Sequence, residues 1–343
     1  MGYRTPAYRA TAVKQAKNAL LASRRAVLTT HLNADGDGAG SEAAIVSWLR
    51  ANGTEAWIIN PTVFPDAYRF LIEDEEWIVP AGSNRAQTLC AHADLAVVLD
   101  TGERARIGRV QEAIRELPTL VIDHHPPGDQ PIGGISFRDP KASATTELVY
   151  DVIEAGGGPW SDHALQGIYV GLLTDTGSFR FDNTSAACHR LVAELVERGV
   201  RPEAMYEKVY GWAPLRRYHL LQRALSTLEH DPEGRVTWMS IPTDAYHELG
   251  VSTEDLEGIV DIPRSIEGTQ VGMLFRVAAS GEVKISFRSN GPVDVNQLAR
   301  RFNGGGHVKA SGAMVPGPMD RAIAKVVAAA KEAVAQLPRQ GEV

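Results

Sequence analysis

A chain of 343 residues is long for one core and comfortable for two domains. Its hydrophobic content of 44% and charged content of 22% are ordinary for a soluble globular protein, and no apolar run approaches the roughly 20 residues of a membrane helix. The net charge of -7 argues against a protein that coats long duplex nucleic acid, while leaving room for a local basic pocket that takes a small anionic substrate.

The first 21 residues lack the apolar core and small-residue cleavage site of a signal peptide, so a cytoplasmic protein is expected. The two cysteines, Cys90 and Cys188, sit in no metal-binding or redox spacing and read as buried thiols. From 26 to 60 the pattern is strand, glycine turn, helix, strand: "AVLTTH", "GAGSEAAIVSWLRANG", "EAWIIN". A second apolar run at 94–100, "DLAVVLD", precedes a helical stretch at 104–117, and "PTLVIDHH" follows at 118–125. Short, nearly continuous apolar strands alternating with helices predict a parallel sheet covered on both faces. Three further helices are expected at 142–156, 162–177 and 184–199.

The pattern changes after Gly199. Residues 200–229 read as helices broken at Pro214, a linker between a first domain at 1–199 and a smaller α/β domain at 230–343. In the latter, "RVTWMSI", "TQVGMLFRVA" and "EVKISFRS" are strand-like and predict a mixed sheet. A helix at 293–302 precedes the glycine-rich "NGGGHVKASGAMVP", and an Ala-rich amphipathic helix spans 319–337.

Acidic and imidazole groups fall where these strands end. The first strand ends at His31, with Asp35 and Asp37 in the turn beyond; others end at Asp100 and at Asp123, His124 and His125. Asp175 closes an apolar helix in "GLLTDTGSFRF". Sites in open parallel sheets gather at the carboxyl ends of strands, so these residues are expected to converge. A ligand set of oxygen and nitrogen without sulfur suits Mn²⁺, Mg²⁺ or Zn²⁺. Several carboxylates in one pocket would not stay ionised together without cations. Two divalent ions about 3.5–4 Å apart, sharing a bridging carboxylate, would resolve the repulsion. On this reading the glycines of "DGDG" let the chain turn sharply, so that alternate carboxylates face one pocket. Each piece has an ordinary alternative: "DGDG" as a plain turn, "DHH" as a helix cap with surface histidines, Asp175 as a turn cap. All of them together at sheet-facing ends argue for a site.

The order of these motifs resembles the DHH phosphoesterase family. "HLNADGDGAGS", "VVLDTG", "VIDHH" and "LLTDTGSF" are similar to its four motifs, with Gly38 where alanine is common. "ISFRSNGPVDVNQLARRFNGGGHVKASGA" resembles the DHH-associated C-terminal domain, whose hallmark is GGGH. The resemblance implies that His31 and Asp35 hold one metal and that Asp37, His124 and Asp175 hold the other. Asp100 would bridge them, and two divalent ions, Mn²⁺ or else Mg²⁺, are the implied cofactors. The implied catalytic set is Asp100, Asp123, His124 and His125. His125 would face the phosphate, Asp123 would orient the imidazoles, and a metal-bridging hydroxide would attack.

In the second domain, three successive glycines would let backbone N–H groups cradle an anion, flanked by His307 and Lys309. Arg288 offers a planar fork to a phosphate, its plainer alternative being a surface salt bridge. The resemblance implies Arg288, Ser289, Gly305, Gly306, His307 and Lys309 as substrate contacts. Phe179, Phe181 and Tyr218 read as core packing in preference to base stacking. The implied activity is hydrolysis of short oligoribonucleotides, linear dinucleotides such as pApA, and pAp, to mononucleotides. The alternative is a cyclic di-AMP phosphodiesterase that yields pApA and then AMP. A cleft between domains would measure substrates of two to five nucleotides. Neither a membrane nor long duplex nucleic acid is an expected partner, and a homodimer through the first domain is compatible with the pattern.

Overall fold

Apolar residues alternate along the first strands so that each one serves two cores. The computed structural model describes residues 2–251, 254–256, 258–278 and 280–335, which divide between Trp212 and Ala213 into two units. In the first unit, α1 (Ala10–Ala22) leads into β1 (Arg25–Thr29), then α2 (Gly36–Ala51), β2 (Glu55–Ile58), α3 (Asn84–His92) and β3 (Leu95–Leu99). Next come α4 (Val110–Ala113), β4 (Thr119–Asp123), β5 (Ile135–Arg138), α5 (Thr145–Gly156), α6 (Asp162–Asp175), α7 (Ala186–Glu197) and α8 (Pro202–Tyr206).

The sheet has the order β2-β1-β3-β4-β5, with every neighbouring pair parallel. Leu28, Val97, Leu99, Leu120 and Ile122 pack on one face against Trp48, Leu148 and Ile168 of α2, α5 and α6. Val27, Ala96, Val98 and Val121 pack on the other against Cys90 and Val110 of α3 and α4. The period of two along a strand divides these side chains between the faces. Both cysteines are buried and free, as expected.

The second unit contains α9 (Leu215–Leu225), β6 (Glu229–His230), β7 (Val236–Ser240), α10 (Ala245–Leu249), α11 (Asp261–Arg264), β8 (Val271–Val277) and β9 (Val283–Ser289). It continues with α12 (Val295–Arg300), β10 (Gly305–Gly306), β11 (Ala310–Val315) and α13 (Met319–Ala335). The order is β10-β11-β9-β8-β7-β6, and only β7 and β8 run parallel, so the sheet is mixed. Its core joins Met273, Phe275, Ile285 and Phe287 to Leu298 of α12 and to Val326 and Ala330 of α13. The expected last helix reaches residue 337; residues 336–337 lie outside the described residues.

Four local features go beyond or depart from these expectations. The helix expected at 104–117 is a 3-10 turn (Arg104–Ile107) and the four-residue α4, separated at Gly108, whose φ of 49° no helix accommodates. β5 is a short edge strand, with Ile135 40% exposed, that the expectations above do not include, although its "ISFR" alternates as a strand does. Within the glycine-rich stretch at 303–316, β10 and β11 pair as an antiparallel hairpin. The segment at 200–229 is divided between the units: α8 belongs to the first, and α9 starts directly after Pro214 in the second. Among the described residues no helix is long and apolar enough to cross a membrane.

Candidate metal centre

The carboxyl ends of β1, β3 and β4 bring His31, Asp100 and Asp123–His125 to one rim of the sheet. Asp35 caps the N-terminus of α2, its side chain accepting from the amides of Asp37 and Gly38 at 3.1 Å. That cap turns Asp37 inward, where it is 1% exposed. Gly36, Gly38 and Gly40 do not adopt the positive φ that a sharp glycine turn would require. They are needed for closeness instead. A Cβ on Gly36 would lie 2.5 Å from the Thr174 side chain, and one on Gly38 2.6 Å from Thr30 Oγ1. One on Gly40 would lie 2.3 Å from the carbonyl oxygen of Gly167, so α2 and α6 meet backbone to backbone. This contact brings Asp175, at the end of α6, to the same rim.

Asp100 lies at the centre of the arrangement. Its Oδ2 is 3.2 Å from His31 Nε2, and its Oδ1 is 3.7 Å from His124 Nε2 and 3.6 Å from His125 Nδ1. His31 Nε2 is also 3.6 Å from Asp35. His124 Nε2 lies 3.6 Å from Asp175 and 3.9 Å from Asp37. Two groups able to hold a cation thus share Asp100: His31, Asp35 and Asp100, and Asp100, His124 and His125. The backbone of Asp100 is left-handed, with φ 57°, a conformation costing roughly 1–3 kcal/mol in a non-glycine residue. The six expected ligands therefore converge, and the structure adds His125 to those close to Asp100.

The chemistry of this donor set fits divalent cations. His31 Nε2 and His124 Nε2 are buried without a hydrogen-bond partner, although carboxylates surround them. Burial opposes charge on His31, but Asp100 and Asp35 outweigh it and lift the imidazole to about 11. Burial and the neighbouring Asp100, Asp175 and Asp35 push Asp37 well above the usual carboxylate range. Asp175 is pushed up to about 6 by burial, with His124 opposing and Asp100 adding to the shift. Burial would raise Asp100 too, yet its contact with His31 and the charge of His125 hold it low. Cations among these groups would relieve the repulsion that raises Asp37 and Asp175.

Asp123 accepts from both the amide and Nδ1 of His125, at 3.0 and 2.8 Å, and pairs with Arg138 across β4 and β5 at 3.3 Å. A carboxylate so placed restrains the His125 ring. Other neighbours lie outside the family-like motifs. The amides of Thr145 and Thr146, opening α5, donate to Asp37 at 2.6 and 2.9 Å, and Thr145 Oγ1 donates to Asp100 at 2.9 Å. Asn183 Nδ2 donates to Asp175 at 3.3 Å. The cluster of small and hydroxyl residues in "KASATTE" before a helix was the available signal: such a helix start presents free amides to an anion.

The second unit's expected contacts are arranged differently. Arg288 projects from β9, its Nε 3.4 Å from Asp261 Oδ1, and burial lowers its pKa. Ser289 is buried, and its hydroxyl donates to the carbonyl of Val293 at 2.5 Å, so it closes a turn and is not an outward contact. Lys309 directs its ammonium to the carbonyl of Gly291. Of the amides expected to form a cradle, that of Gly304 donates to Ala299, and the neighbouring His307 N donates to Ala310. Gly304 and Gly306 are required by close packing against β11: a Cβ would lie 2.2 and 2.6 Å from carbonyl oxygens there. Gly305 is exposed, with 3.9 Å to the nearest atom, so its lack of a side chain is not demanded by the fold. Phe179 packs on Tyr169, as expected of a core residue, but Phe181 and Tyr218 are 40% and 57% exposed and are not core.

An α/β unit that gathers carboxylates and histidines at its strand ends, followed by a unit with a glycine hairpin, defines a two-domain phosphoesterase. Residues 25–172 match the DHH family N-terminal domain, and residues 238–336 match the DHHA1 domain. The chain is 34% identical, over 92% of its length and 90% of the other's, to the bifunctional oligoribonuclease and PAP phosphatase NrnA of Thermus thermophilus. The crystal structure of an exopolyphosphatase-related protein from Bacteroides fragilis superposes with a TM-score of 0.85 at 26% identity, covering 95% of this chain and 96% of that one. The cyclic-di-AMP phosphodiesterase GdpP of Geobacillus thermodenitrificans is 24% identical over 88% of this chain but only 46% of its own length. The chain belongs to the DHH family and is a phosphoesterase.

Proposed function

We propose that this protein hydrolyses short oligoribonucleotides and linear dinucleotides such as pApA to mononucleotides, and removes the 3′-phosphate of pAp. The observation that carries this reading is Asp100, whose two oxygens face separate histidine-bearing groups 3.2 to 3.7 Å away. His31 and Asp35 would hold one divalent cation; Asp37, His124 and Asp175 the other; Asp100 both. Mn²⁺ or Mg²⁺ suits these oxygen and nitrogen donors. The chemistry supplied by bound cations is Lewis-acid neutralisation of phosphoryl oxygens and acidification of water.

The protein's own groups do the rest. Thr145 and Thr146 fix Asp37 and Asp100 in place before any substrate arrives. Asp123, paired with Arg138, accepts a hydrogen bond from His125 Nδ1–H, holding that proton on Nδ1 and leaving Nε2 for proton exchange. In the second unit Arg288 and His307, beside the bare Gly305, supply the recognition groups for phosphate or base. The free thiols Cys90 and Cys188 fit a reducing cytoplasm.

The linear-substrate reading is supported by the match over 90% of a relative named an oligoribonuclease and PAP phosphatase, against 46% of the cyclic-di-AMP phosphodiesterase. A product time course with Mn²⁺ tests the choice, offering pAp, pApA, a pentaribonucleotide and cyclic di-AMP side by side. AMP from pApA and mononucleotides from the pentamer, with slower loss of cyclic di-AMP, are expected. Preferential opening of cyclic di-AMP would overturn the assignment.

A further inference from the structure

Arg9 lies before the first helix, 3% exposed, among three carboxylates. Its Nε meets Asp139 at 2.6 Å, and its Nη1 meets Glu147 at 2.8 Å and Asp151 at 2.9 Å. Tyr3 and Thr5 add bonds to Asp151, and Tyr8 adds one to Asp139. A buried ion cluster of this kind is a poor source of net stability, since desolvation offsets most of the attraction. Its value lies in what it orders.

Two of the three carboxylates use their remaining oxygen on one turn. Asp139 Oδ1 accepts from the amide of Lys141 at 3.0 Å, and Glu147 Oε2 accepts from the amide of Ser143 at 2.9 Å. Arg9 thereby holds both ends of residues 139–147. The inner edge of that turn touches the candidate ligands: Thr145 and Thr146 grip Asp37, Thr145 Oγ1 reaches Asp100, and the carbonyl of Ala142 lies 3.4 Å from His124 Nδ1. Asn183, which bonds the carbonyl of Ser143, also bonds Asp175. One turn therefore reaches four ligands.

We propose that Arg9 is a positioning residue that sets the cation affinity of the centre, by locking the 139–147 turn against Asp37, Asp100, His124 and Asp175. The inference rests on the two-cation reading above. Carboxylates this close repel, so a small shift of the turn would let them separate and lose the shared geometry. Hydrogen-bonding groups behind metal ligands typically change metal affinity 10- to 100-fold when altered.

The test is Mn²⁺ binding by titration calorimetry and electron paramagnetic resonance, with circular-dichroism melts, on the full chain. Arg9→Lys keeps the charge but loses the guanidinium fork. Ile114→Ala removes packing on the opposite face of the sheet and serves as a destabilised control. At a temperature where all three proteins are folded, Arg9→Lys is expected to bind Mn²⁺ about tenfold more weakly, with Ile114→Ala at wild-type affinity. Unchanged affinity in Arg9→Lys overturns the proposal and leaves the metal centre standing. Loss of a cooperative melt in Arg9→Lys also overturns it, by assigning Arg9 to the fold alone. Absence of Mn²⁺ binding in the wild type overturns the two-cation reading and this proposal with it.

Discussion

The rim of the first sheet and the glycine hairpin of the second unit carry the family's most distinctive motifs, yet they are built in opposite ways. At the rim, Asp37 and Asp100 are 1% and 2% exposed and fixed by donors from α5. At the hairpin, Gly305, Gly306 and His307 are exposed. The contrast follows from the tasks proposed for them. A centre that concentrates negative charge needs groups held in place before cations bind, because reorganisation would dissipate the electrostatic gain. A recognition surface needs access and tolerates looser restraint.

Changing Asp100 should break the comparison most visibly. Asp100→Asn keeps shape and removes the charge facing both histidine groups, so activity on pApA is expected to fall by about 10³-fold or more, in the range of an essential electrostatic group. Its melting temperature in chelator should fall, because the carboxylate that His31 and His125 stabilise in the folded state is lost. Activity within tenfold of wild type would remove Asp100 from the centre.

A smaller loss is expected at the other region. Arg288→Ala should raise KM for pApA about 10- to 100-fold, the worth of a charged hydrogen bond, while sparing turnover of a minimal chromogenic phosphodiester. Equal losses on both substrates would contradict a recognition role.

The smallest effect concerns Glu42, buried on α2 and bonded to Asn60 at 2.8 Å. Burial, opposed by Asn60 and His31, pushes its carboxyl from the ordinary 4.5 up to about 8. Between these values the folded state holds a proton that the unfolded state has released, so stability falls as pH rises through the window. Glu42→Gln should match wild type near pH 4 and exceed it at pH 8 by on the order of 1–3 kcal/mol, read from urea melts in chelator. Parallel pH profiles for the two proteins would exclude a raised Glu42.

Much of the centre was legible because its signals are local. A strand's apolar run and the acid or imidazole that ends it are neighbours in sequence, and the strand-end rule places them together. The glycines of "DGDGAG" were legible as a feature but not in their purpose, since Gly40 answers to Gly167 across two helices. The second unit was less legible: "NGGGH" suggested a loose anion cradle, and only the pairing of Gly305 with Gly312 shows a hairpin whose amides are partly engaged.

Residue types and their order along the chain determined the parallel sheet, the mixed second sheet and the convergence of His31, Asp100, His124 and Asp175, because each rests on short-range periodicity or on a strand terminus. Tertiary structure alone decided that Thr145 would clasp Asp37 across 108 positions and that Arg9 would reach Glu147 across 138. Those contacts pair ordinary polar residues whose roles are set by where the packed helices bring them, and no local pattern encodes that distance.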